Sequence, residues 1–99
     1  MATLYRVEEI NGAIITTKTE VSPKNGISFH LPELYKMLDC SMIEVVYPQN
    51  PKYSGKILII DEEGKLTDKS LNLEATRIFG ADYDVIVGSA LLCDDSQLQ

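Results

Sequence analysis

Lys56-Ile57-Leu58-Ile59-Ile60-Asp61, followed by Glu62-Glu63-Gly64, is the stretch that decides the fold. Four consecutive aliphatic residues without polar alternation predict a central strand covered on both faces. Such a strand needs packed elements above and below it. Glu62-Glu63-Gly64 reads as a tight turn with Gly64 in the left-handed position. Lys65-Leu66 is then expected to pair back briefly. Upstream, the polar loop from Pro48 to Gly55 separates this strand from another, predicted over residues 42–47 (Met-Ile-Glu-Val-Val-Tyr).

Working outward toward the N-terminus, Leu31, Leu34, Tyr35 and Leu38 recur at helical spacing and predict a short helix over 32–39. Pro32 suits its first position, because an amide there would be unsatisfied anyway. Glu33 complements the helix dipole. A turn cluster spans residues 22–26, and residues 27–29 form a short extended piece. Asn11-Gly12 predicts a hairpin joining strands over about 4–9 and 13–19, the second rich in β-branched residues. Toward the C-terminus, Asn72 is placed to cap a second helix, with Glu74 in its first turn. Leu71, Ala75, Ile78 and Phe79 share one face, and Gly80 is a natural terminator. Val85 to Cys93 predicts the last strand, with Gly88 marking a bulge or a close backbone approach. Residues 94–99 are polar and expected to fray. The order β-β-α-β-β-(β)-α-β predicts an α+β domain, with a mostly antiparallel sheet of about five or six strands and two short helices. The expected organisation is one domain over 1–95 and a frayed tail over 96–99.

The chain has 99 residues and a mass of 11.0 kDa, enough for one modest core. Its net charge of −6 is unevenly spread: residues 1–60 carry six acids and six bases, and residues 61–99 carry nine acids and three bases. A field of that sign repels phosphate backbones, so direct nucleic-acid binding is disfavoured. No apolar run is long enough to span a membrane. Residues 1–9 already contain Arg6, Glu8 and Glu9, so no signal-peptide core is expected, and the expected compartment is the cytoplasm. Cys40 and Cys93 are then read as free thiols, with Cys93 a small buried hydrophobe.

No catalytic constellation stands out. His30 and two distant cysteines fall short of a zinc ligand set. The run from Asp61 fails as a calcium loop, because the twelfth position is Asn72 and not a bidentate glutamate. No phosphate-cradling glycine motif is present. His30 is the sole imidazole, with Glu33 as the carboxylate placed to orient it. A predicted helix of about 12–15 Å separates it from Cys40. No catalytic, metal-binding or cofactor-binding residue is assigned, and no cofactor is expected.

Several segments together resemble one family. They are Phe29 to Leu38 leading into Met42-Ile43-Glu44-Val45-Val46, then Ile59 to Gly64, Leu71 to Thr76, and Asp84 to Ala90. In this order and spacing they resemble DUF3846, a domain-of-unknown-function family of bacteria, plasmids and phages, over roughly residues 27–93. The family pattern has a paired-glycine turn after the first helix, where this chain has Asp39-Cys40-Ser41. Its N-terminal hairpin is also longer. The resemblance implies an accessory role on mobile elements and carries over no catalytic residue.

The sequence supports three functional readings. The first is a non-enzymatic interaction or accessory module, with a homo-oligomer or a host protein as partner. Its candidate surface is Tyr47, just before the Pro48–Gly55 loop, and Tyr53 within it, with the acidic turn residues Asp61, Glu62 and Glu63. The second is an acidic decoy for a basic nucleic-acid-binding protein. The third is a small enzyme using carboxylates or His30.

Overall fold

The computed structural model describes residues 2–98. Five strands form one sheet: β1 (Ala2–Ile10), β2 (Ala13–Val21), β3 (Ile43–Val46), β4 (Lys56–Asp61) and β5 (Ala90–Asp94). Their spatial order is β2-β1-β5-β4-β3, and every neighbouring pair is antiparallel. Helix α1 (Leu31–Leu38) covers one face and α2 (Leu73–Phe79) the other. The α+β class and the order of elements agree with the sequence reading. Among the described residues, no helix is long and apolar enough to cross a membrane.

The β4 run behaves as its composition requires. Ile57 and Ile59 pack with Leu34, Leu38, Phe29 and Leu91 on the α1 face. Leu58 and Ile60 pack with Ala75, Ile78, Ile86 and Leu92 on the α2 face. Burying each such side chain contributes about 1.5–3 kcal/mol before entropy is counted. Helix α1 turns Leu34 and Leu38 inward, and its end is closed by Asp39 in the left-handed region at φ 52°. Aspartate tolerates this conformation better than most residues but still at a steric cost.

Asn72 caps α2 and is fully buried. Its Oδ1 accepts the Ala75 N–H at 3.0 Å. Its Nδ2 donates to the carbonyls of Tyr5 at 3.0 Å and Gly88 at 2.9 Å. One side chain thus ties β1, the start of α2 and the segment before β5.

Four local expectations are corrected. The final strand begins at Ala90, not Val85. Residues 86–88 bond instead to the chain before α2, through Asn72 N–H to Ile86 O and Gly88 N–H to Ser70 O. Gly88 has φ 78°, a left-handed backbone that strains any other residue, and a Cβ there would also meet the Lys69 side chain at 3.0 Å; no other backbone lies that close. Gly64 is not left-handed; a Cβ would lie 3.0 Å from Val87 Cγ2, and packing is what requires glycine. Lys65-Leu66 forms no strand, because successive turns bond Thr67 N–H to Glu63 O and Lys69 N–H to Gly64 O. The polar tail does not fray through Leu98: Asp95–Gln97 makes a 3-10 turn, Phe29 N–H donates to Gln97 O, and Leu98 packs on the α1-side core. Met1 and Gln99, at the ends of the expected domain and tail, lie outside the described residues.

Two substitutions test this account by chemical denaturation. Asn72→Ala orphans two buried carbonyls and one amide, and is expected to lower stability by about 3 kcal/mol. Asp39→Gly relieves the left-handed position and is expected to raise stability by about 1 kcal/mol.

Candidate functional site

The residues singled out from sequence occupy two ends of β4. Tyr47 is exposed, Tyr53 is half-buried against the α2-side core, and both line a small hollow of about 200 Å3 with Pro48 and Lys56. Lys52 Nζ lies 5.6 Å from the Tyr53 ring centre. The acidic turn lies at the opposite end of the strand, so the structure does not bring tyrosines and acids together.

Within the acidic turn the three carboxylates differ. Asp61 is buried and belongs to the interior. Its Oδ1 accepts the Glu63 N–H at 2.9 Å, and its Oδ2 pairs with Lys69 Nζ at 2.7 Å. Lys69 also donates to the carbonyls of Leu38 and Asp39, closing the C-terminal end of α1. A buried carboxylate needs such a partner. Asp61 is therefore removed from the surface its sequence position suggests, leaving Glu62 exposed and Glu63 half-buried.

His30 sits at the N-cap of α1, exposed, with Nε2 2.9 Å from Asn25 Nδ2. Glu33 does not orient the ring. Its carboxylate accepts the backbone N–H groups of His30 at 2.9 Å and Lys24 at 3.3 Å. Burial pushes the Cys93 thiol up to about 11, with Asp94 adding to the effect. Burial, and then the charge of Asp61, also raises Cys40. Neither thiol is activated as a thiolate nucleophile. Hydrogen bonds from Lys65 and Lys56 hold the carboxyls of Asp84 and Asp94 below their ordinary range. These are surface pairs of modest energetic weight.

The least covered feature is the β1–β2 arm. Nine residues of each strand pair in continuous register, yet only Thr3, Leu4 and Tyr5 of β1 also pair with β5. Beyond Tyr5 the arm projects past the core, with Ile10, Ile14 and Ile15 exposed near its tip. Asn11 and Gly12 have φ of 52° and 80°, the signature of a type I′ turn. Sequence reading placed this hairpin but made it shorter. The β-branched content of 13–19 signals a strand but not whether anything covers it.

A family comparison bears on the same region. The DUF3846 family, described as a domain of unknown function, matches residues 8–97. The chain belongs to that family. The match takes in all of β2 and the arm's tip, so most of the arm lies within the DUF3846 domain and is not an appendage to it. No curated protein and no solved structure matches the chain.

The Cys93 environment has a measurable consequence. Its folded-state value lies above the ordinary value near 9, so the stability this thiol contributes is complete below about pH 9. That stability is lost as pH rises toward about 11. Thermal melts of the wild type should fall more steeply between those limits than melts of Cys93→Ala. At neutral pH, a thiol-specific chromogenic reagent should reach Cys40 first and Cys93 only on unfolding.

Proposed function

We propose that this DUF3846 protein is a non-enzymatic interaction module that assembles with a second copy of itself along the outer edge of β2. The observation that carries the reading is the state of that edge. β2 ends the sheet, spans nine residues, and contains no proline and no bulge. Among the described residues no element pairs with its outer side. Unprotected edges of this length are templates for strand addition.

The hairpin geometry says which groups are on offer. A type I′ turn makes Ile10 and Ala13 the first hydrogen-bonded pair, and bonding alternates from there. Ile14, Thr16, Lys18 and Glu20 then direct their backbone groups outward. The opposite strand agrees, since Val7, facing Thr16, sends its N–H to Ser89 Oγ at 3.2 Å and not to β2. A two-fold axis at Thr17 would pair Thr16 with Lys18 and Ile14 with Glu20 of the second copy. That register supplies about eight backbone hydrogen bonds and opposes no like charges.

The acidic-decoy reading has less support. Asp61, Glu74, Asp84 and Asp94 are each ion-paired, which breaks up the acidic surface.

Two proline variants separate the edge from the fold. Thr16→Pro removes an outward N–H and should abolish dimers in sedimentation equilibrium while leaving a cooperative melt. Thr17→Pro removes an N–H inside the hairpin and should cost about 2 kcal/mol of stability. A wild type that stays monomeric at high concentration, or dimers that survive Thr16→Pro, would refute the proposal.

A further inference from the structure

The basic residues are sorted by segment. Lys56, Lys65, Lys69 and Arg77 each form an ion pair. Arg6, Lys18, Lys24, Lys36 and Lys52 form none among the described residues. Three of these five, Arg6, Lys24 and Lys36, line one groove of about 510 Å3 between α1 and the β1–β2 arm. The groove uses none of the outward backbone groups of β2, so its role is independent of the dimer.

The convergence arises from the fold. Arg6 alternates with Leu4 and so faces the α1 side. Lys36 lies on the last turn of α1, and Lys24 on the turn that comes after β2. Glu33 is the single acid lining this groove, and its two oxygens already accept backbone N–H groups. Leu4, Val21 and Met37 supply an apolar lining. Arg6 and Lys36 also line an adjoining cleft of about 590 Å3, whose other charges are Asp39, Asp68 and the paired Lys69. The first groove therefore holds the excess of positive charge, three cations to one carboxylate.

We infer that this groove docks an acidic peptide segment of a partner protein, one that carries apolar side chains between its carboxylates. Three cations against one carboxylate, around an apolar lining, complement that chemistry. A nucleic-acid strand fits less well. No aromatic ring lines the groove to stack a base, and a net charge of −6 repels a long polyanion. Free phosphate also fits less well. The cations come from three separate elements, with apolar Leu4, Val21 and Met37 in the same lining.

The test is fluorescence anisotropy with a labelled peptide in which aspartates alternate with leucines. Its comparators are the same peptide with lysines for aspartates, a single-stranded oligonucleotide of similar length, and inorganic phosphate as competitor. The acidic peptide is expected to bind and to weaken with added salt. Arg6→Ala combined with Lys36→Ala should weaken it about tenfold or more. Lys18→Ala combined with Lys52→Ala removes two unpaired cations outside the groove and should change little. Circular dichroism melts confirm that both pairs fold. No binding at millimolar peptide, equal loss in the two double variants, tighter binding of the oligonucleotide, or full displacement by phosphate would each overturn the inference. The sedimentation behaviour of the same variants reports separately on the dimer.

Discussion

The buried amide of Asn72 is the constraint on which the rest of the structure hangs. It satisfies a helix-start amide and two carbonyls from segments distant in sequence, Tyr5 and Gly88. A buried polar group left without partners is expensive, so all three segments must arrive together. Once they do, α2 has a fixed origin and the chain before β5 is fixed against the start of α2 and against β1. Thr76 completes the arrangement, since its hydroxyl accepts the Ile86 N–H at 2.8 Å and donates to the Ile86 carbonyl at 3.3 Å. The α2 layer is thus joined to the sheet by specific polar bonds as well as by Ala75 and Ile78.

The opposite layer is held differently. Helix α1 rests on aliphatic packing of Leu34 and Leu38, and its C-terminal end is closed by Lys69 from across the chain. Lys69 simultaneously neutralises the buried Asp61 at the end of β4. Two short helices can cover only the middle of a five-stranded sheet. The arm formed by β1 and β2 therefore reaches beyond any cover, and the exposed isoleucines at its tip are the result. The exposed edge and the basic groove are both products of this shortage of cover.

Much of the fold was legible in the sequence because it rests on local signals. The aliphatic run of β4, the Asn11-Gly12 turn, Pro32 and Glu33 at a helix start, and Asn72 as a cap each act over a few residues. What was not legible depends on distant partners. Nothing local announces that residues 86–88 bond to the chain before α2, or that Val87 crowds Gly64. The polarity of residues 94–97 hides the one apolar contact, Leu98, that docks the tail. The candidate sites divide the same way. Tyr47 and Glu62 are exposed as their types suggest, whereas Asp61 turns inward because Lys69 waits for it. Arg6, Lys24 and Lys36 come from three segments, and their convergence has no signature in spacing.

The strand order carries a consequence for how the molecule is made. β5, the last of the five described strands in chain order, lies in the middle of the sheet between β1 and β4. Until residues 90–94 exist, a nascent chain has two separate hairpins and no common core. Joining β1 to β5 closes nearly the whole chain into a loop, at an entropic cost of about 4 kcal/mol. A ribosome-bound chain thus has no partial domain to complete until residues 90–94 emerge. Truncation near the C-terminus would remove the central strand and not an edge, leaving fragments rather than a smaller version of the protein.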